Sequence, residues 1–302
     1  MISEMSNSVL FRRFGNIMTD GSTNTVYFSE LLLQRCPILY QHLARELTVN
    51  NICHFLLKNT KDIWCRDYMP IQIDKKRYVC YKYNPDYLQT KYYRRTITDV
   101  RNMEYFISLQ QECEIISLDL VIDGGNVVKC GDKIVMTDKV FEENTDKTHL
   151  DILNILENAF QSEVIMLPWD RDEYFGHSDG IIHYAGNNRL LITNYQDFNP
   201  ALAKKYLKIL KQHFEVFPLS YNVTRSHQCS WAYINYLQIG HFLFVPQLGI
   251  SEDEQALQQI ATANPDFKVI GITSMEAVRK GGALTVSLGI LLRDNPYGFL
   301  HG

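Results

Sequence analysis

The 302-residue chain predicts an α/β fold built from β-hairpins, each followed by a helix and one further strand, as a single continuous domain over 1–302. Three observations lead there. Apolar runs of strand length outnumber helical stretches, the helical stretches tend to follow pairs of such runs, and no Gly/Ser- or Pro-rich linker divides the sequence. This ββαβ rhythm differs from a plain parallel doubly wound sheet, in which single strands alternate with helices.

In chain order, TVYFS at 25–29 reads as a strand, followed by a stretch (30–47) whose apolar spacing is helical apart from Pro37. Strands are expected at 52–57, 70–74, 77–83 and 114–118. Those at 126–130 and 133–137 flank Gly131-Asp132, a tight-hairpin signal. A helix over 148–160 leads into a strand at 163–167. Strands at 181–184 and 190–193 precede a helix over 200–213 that opens with proline. A strand at 241–247, a helix over 252–263 and strands at 267–272 and 283–291 complete the chain.

Composition excludes several classes. With 46% hydrophobic and 21% charged residues the chain is neither disordered, collagen-like nor a coiled coil. Thirty basic against 34 acidic residues leave a net charge of -4, which predicts neither a nucleic-acid nor a membrane partner. No apolar run approaches the roughly 20 residues of a membrane span. The first residues lack the apolar core of a secretory signal. Seven cysteines without a CxxC pair argue against a disulfide framework, so a reduced, cytoplasmic protein is expected.

Four segments concentrate chemistry-bearing residues. In Asp62–Pro70, Asp, Arg and Asp interleave with Trp64 and Cys65; an extended backbone would put Cys65 and Asp67 on one face and Arg66 on the other. A structural ion pair of Arg66 with a carboxylate is the alternative. Asp123-Gly124-Gly125-Asn126 suits either close approach to a ligand or an ordinary turn. Gly176-His177-Ser178-Asp179-Gly180 sets an imidazole beside a carboxylate, which suits proton transfer next to a bound cation. No metal-ligand spacing accompanies it, so no metal is expected. Lys280-Gly281-Gly282-Ala283-Leu284-Thr285-Val286-Ser287 opens the last strand.

The order of these segments resembles the agmatine deiminase and bacterial-type peptidylarginine deiminase family. It runs through DIWCRDYMP, DGGN with VMTDKVFEEN, GHSDG, SWAYINY with FVPQLG and GGAL, from about Thr25 to Leu291. The resemblance implies a five-bladed α/β propeller of pseudo-repeated ββαβ units around a central polar channel. It also implies a hydrolase acting on a guanidino group without metal or organic cofactor. Asp67 and Asp179 would hold the planar guanidinium in fork geometry, and His177 would protonate departing ammonia and then activate water. Trp64, Arg66, Asp123 and Asn126 are expected to contact substrate. The implied ligand is agmatine, free arginine or an arginine peptide, with a place in putrescine biosynthesis if it is agmatine. The oligomeric state is left open.

One position departs from the family. The nucleophilic cysteine, which forms a covalent thiouronium intermediate, normally follows GG-x-L-(His or Asn). Here Thr285 stands for the His or Asn and Val286 for the cysteine, or the cysteine is deleted; the last cysteine in the chain is Cys229. Thr285, Ser287 and Cys65 are the substitutes to weigh, against an inactive guanidinium-binding protein. The basic and tyrosine-rich stretch 75–95 raises single-strand nucleic-acid binding, with a solvated loop as the simpler reading.

Overall fold

A computed structural model describes residues 15–294, so the reading of the first 14 residues lies outside the described part. Its strands form five separate three-stranded sheets. The first blade holds β1 (Thr25–Ser29), α1 (Glu30–Arg35), α2 (Pro37–Val49) and β2 (Cys53–Leu57). Pro37 cannot supply an N–H to a continuing helix, so the expected single helix breaks at Cys36 into two. After a one-turn α3 (Cys65–Tyr68), the second blade holds β3 (Ile71–Gln72), β4 (Arg77–Lys82), α4 (Glu104–Glu112) and β5 (Glu114–Val121). The third holds β6 (Val128–Cys130), β7 (Lys133–Thr137), the short α5 (Lys139–Glu142), α6 (His149–Phe160) and β8 (Glu163–Leu167). The fourth holds β9 (Ile182–Gly186), β10 (Arg189–Ile192), α7 (Pro200–Leu210) and β11 (Glu215–Pro218). The fifth holds β12 (Leu237–Ile239), β13 (Phe242–Gln247), α8 (Asp253–Ala263) and β14 (Lys268–Thr273). A short α9 (Met275–Val278) and β15 (Leu288–Leu291) follow.

In the second to fifth blades the middle strand pairs antiparallel with a hairpin partner and parallel with the strand after the helix. The first blade has the same pattern, but its antiparallel strand is β15, brought from the far end of the chain to β1. That pairing closes the propeller without a covalent link. Helices bury one face against their own sheet: in α7, capped by Asn199, Leu202, Tyr206 and Leu210 recur at helical spacing and are buried. Each such side chain contributes about 1.5–3 kcal/mol on burial, so Leu210→Asp is a change this blade is not built to absorb.

The inner strands β3, β6, β9, β12 and β15 surround the axis. Equivalent register positions carry Gln72, Lys129, His183, Gln238 and Gly289, opposite Tyr78, Ile134, Leu191, Leu243 and Tyr27. Four of the five are polar, and all four are buried, which makes the axis a polar channel inside apolar blades. The segment before β1 crosses the channel end: Ile17 N–H bonds Gly131, Met18 N–H bonds Ile73 and Thr23 C=O accepts from Gly240.

Six elements were not expected from sequence, namely the short helices α3, α5 and α9, the helix α4, and the strands β11 and β12. The last strand is shorter than expected: residues 284–287 form a turn and β15 starts at Leu288.

Candidate active site

Each inner strand is entered through a short turn, and the five turns meet at one end of the axis. They are α3, the 3-10 turns Gly124–Asn126, Ser178–Gly180 and Ser230–Ile234, and the turn 284–287. Hydrogen bonds stitch them into a ring. Arg66 N–H donates to Val286 C=O (3.1 Å), Val286 N–H to Asn235 Oδ1 (3.3 Å), and Asn235 Nδ2 to Asp179 C=O (3.2 Å). Thr137 joins the next two turns, donating from Oγ1 to Gly176 C=O (2.5 Å) and from N–H to Asn126 Oδ1 (2.8 Å). Gly125 N–H donates to Asp67 Oδ1 at 3.1 Å and completes the circle. The glycine pair is needed for contact rather than flexibility. A Cβ at Gly124 would sit 1.9 Å from Arg66 C=O, and one at Gly125 would sit 2.6 Å from His177 Nδ1 and 2.8 Å from Asp67 Oδ1.

Inside this ring His177 Nε2 lies 2.9 Å from Asp123 Oδ2, and Nδ1 lies 3.8 Å from Asp67 Oδ1. Tyr87 hydroxyl donates to the same Asp123 oxygen at 2.9 Å. Burial opposes charge on His177, but Asp67, Asp123 and Asp179 outweigh it and push the imidazole up to about 10. It is therefore an imidazolium at neutral pH. Burial pushes Asp67 well above the usual carboxylate range, with His177 opposing. Burial likewise lifts Asp179 to about 6 against the pull of His177 and Arg66, and its Oδ2 has no hydrogen-bond partner. Three buried carboxyl groups thus crowd one imidazole, and burial opposes the charge on Asp67 and Asp179. This arrangement is short of positive charge and suits an incoming cation.

Two cavities open on the cluster, of about 590 Å³ and about 640 Å³. Asp179 lines the first and Asp67 the second, while His177 and Val286 line both. Trp64 lines the second cavity; Trp169 and Trp231 line the first.

Several expectations change. Residues 65–68 are helical, not extended, because the chain must turn sharply into β3. Cys65 consequently points into the apolar core, within 3.1 Å of Tyr68 hydroxyl, and burial pushes its thiol up to about 12. Arg66 turns away from the cavities into the axial channel, where Nη2 pairs with Asp20 Oδ2 at 2.9 Å. Its predicted ligand contact is replaced by the ion pair that was the alternative. Asn126 satisfies Thr137 through both ends of its amide and lines neither cavity. Asp123 likewise acts from behind His177 rather than from a cavity wall. Thr285 Oγ1 donates to Tyr236 C=O (2.6 Å) on the channel side, and Ser287 Oγ donates to Ala283 C=O (2.5 Å). No cysteine lines either cavity among the described residues.

Sequence reasoning missed Phe175 and Lys139, and took Tyr87 only as one of the tyrosines of the loop at 81–93. Lys139 Nζ is buried between Asp86 (2.9 Å) and Glu143 (2.5 Å), under the rings of Tyr87 and Trp169. A lysine in a DK-x-x-E-E run looks solvated, and only the fold shows it underpinning Tyr87. In the stretch 75–95, Tyr78, Tyr81 and Tyr83 are buried, leaving Tyr92 and Tyr93 as the exposed rings; it offers no continuous stacking strip. Among the described residues no group of His, Cys, Asp and Glu has metal-site geometry, and no helix is long and apolar enough to cross a membrane.

By fold the chain is a five-bladed α/β propeller. Agmatine deiminase from C. jejuni superposes with a TM-score of 0.74 at 16% identity, covering 94% of this chain and 98% of that one. Agmatine deiminase of Enterococcus faecalis gives 0.72 at 18% identity, covering 93% and 97%. An amidinotransferase from Microseira wollei in the saxitoxin biosynthetic pathway gives 0.59 at 12%, covering 94% and 97%. Residues 28–286 match the Porphyromonas-type peptidyl-arginine deiminase family, and the chain belongs to it. Curated relatives from Marinomonas sp. and Lactococcus lactis are 24% and 25% identical over 200 and 204 residues, and the chain spans about half their length (54% and 55%).

Proposed function

We propose that this deiminase-family chain binds a guanidinium-bearing ligand between Asp67 and Asp179 and does not hydrolyse it by the covalent thiol route. The observation that carries the reading is Val286 at the meeting point of both cavities, where a side chain without a lone pair faces the clamp. The carboxylates supply acceptors in fork geometry, one from each cavity. His177, charged and held by Asp123, supplies a proton donor beside them. Attack on the guanidinium carbon is the step that lacks a group. Cys65 is in the core, and the hydroxyls of Thr285 and Ser287 are committed to backbone carbonyls. Removing a nucleophile from such a site costs several orders of magnitude in rate.

The test pairs ammonia release with calorimetry on agmatine, arginine and arginine peptides. Binding without ammonia, weakened about a hundredfold by Asp179→Asn, is the expected outcome. Ammonia release abolished by Asp179→Asn would overturn the binding-only reading and establish a substitute nucleophile. Val286→Cys is expected to release ammonia above the level of the unmodified chain.

A further inference from the structure

The clamp is reached from two sides. The two cavities share Tyr174, Phe175, His177, Gly281, Gly282 and Val286, and they diverge from there. Above the junction, Phe175 packs onto the turn that carries Gly281, whose φ of +99° lets the backbone come so close that a Cβ there would lie 2.9 Å from the ring. Phe175 is held in turn by Tyr87, edge-on at 5.1 Å, and by Tyr174 at 5.5 Å. The two cavities therefore adjoin beneath an aromatic bridge, each with one clamp carboxylate in its lining.

A guanidinium with a single substituent fills this space on one side only. Its planar core sits at the junction, its one chain leaves through one cavity, and the other of comparable size stays filled with water. We infer that the ligand is a guanidine substituted on two different nitrogens, with one substituent in the Trp169/Trp231 cavity and the other in the Trp64/Tyr83 cavity. This rests on the guanidinium-binding reading above and names the ligand class of the same site. The chemistry of the clamp permits it. A monosubstituted guanidinium has five N–H donors; a second substituent removes one, and with the two substituents diverging the remaining four give a two-point contact with one carboxylate and a single hydrogen bond to the other. Both cavity walls are rich in aromatic faces: Trp231 and Phe198 on one side, Trp64 and Tyr93 on the other. Such walls stack on apolar or cationic substituents and discriminate little between them. Val286 at the junction leaves both substituents and the central carbon intact.

The test is calorimetry of the full chain with N-butylguanidine and N,N′-dibutylguanidine. A second butyl group buried in the vacant cavity is expected to tighten binding at least tenfold, since each buried methylene contributes ~0.8 kcal/mol. Phe198→Ala and Tyr93→Ala remove exposed rings, 46% and 48% accessible, one from each cavity, without touching the core. Both variants should weaken the disubstituted compound, whereas only one should weaken the monosubstituted compound. Equal affinity of the two compounds, or dependence of both on the same single variant, overturns the two-sided ligand while leaving guanidinium binding in place. Failure of both compounds to bind overturns the underlying reading as well.

Discussion

Two buried polar clusters lie close together on the propeller axis, and their charge balance separates them. In the channel, Asp20 accepts from Arg66 at 2.9 Å and pairs with Lys129 at 3.2 Å, while His183 stacks on Tyr236 at 3.6 Å. Burial raises Asp20 but the two cations win and hold it down at about 2; the space left there is about 30 Å³. In the cleft, the carboxyl groups of Asp67, Asp123 and Asp179 surround His177, with Lys139 beneath Tyr87, beside about 600 Å³ on each side. In the channel two cations hold one carboxylate in a closed space that Asp179 also lines, whereas in the cleft carboxyl groups face open space. Arg66 and Asp67, adjacent in sequence, send one side chain to each cluster. Buried charge by itself therefore does not mark a binding site; uncompensated charge next to space does.

Changes in the channel should act on stability, and changes in the cleft on binding. The largest effect expected is that of Asp20→Asn. It leaves two buried cations without a counter-charge and should cost about 3–5 kcal/mol in urea unfolding, with guanidinium affinity altered less than about threefold. A comparable loss of affinity would merge the two clusters into one functional unit. Next comes acid titration of His183. Burial, opposed by Asp20, lowers its imidazole to about 4 from 6.5, so the unfolded chain takes up the proton first. Stability should then fall as pH drops from about 6.5 to about 4, by about 3 kcal/mol in total, and His183→Gln should flatten that window in thermal melts.

Asp179→Asn should do the reverse of Asp20→Asn. Affinity for guanidinium falls about a hundredfold. Folding stability at pH 8 rises by roughly 3 kcal/mol, because a carboxylate whose protonated form is favoured by burial is replaced by a neutral amide. A destabilised variant would mean that Asp179 is compensated by a partner in the ligand-free fold. The smallest effect is on pH dependence of binding. A cation is bound by the ionised form of Asp179, so affinity should fall as pH drops below about 6, by about tenfold per unit. Calorimetry between pH 5 and 8 gives the profile directly, and a flat one would remove Asp179 from the clamp.

The amino-acid sequence by itself determined most of the elements, their hairpin-helix-strand grouping and the adjacency of His177 and Asp179; Asp67 joined them through the family resemblance. Hydrophobic periodicity and turn residues act over a few positions, and a motif such as Gly-His-Ser-Asp-Gly is written contiguously. It also showed the valine at the position where the family has a cysteine. Which way each side chain faces was decided only by the tertiary structure. A single helical turn at 65–68 sends Cys65 into the core, Arg66 to the channel and Asp67 to the cleft, where an extended backbone would have kept Cys65 beside Asp67. Tyr87 and Lys139 join the site across 36 and 16 residues from Asp123, through a loop and a short helix that no local pattern ties together. Closure by β15 is non-local in the same way: a four-residue apolar strand pairs with the start of the chain because that is where an unpaired edge remains.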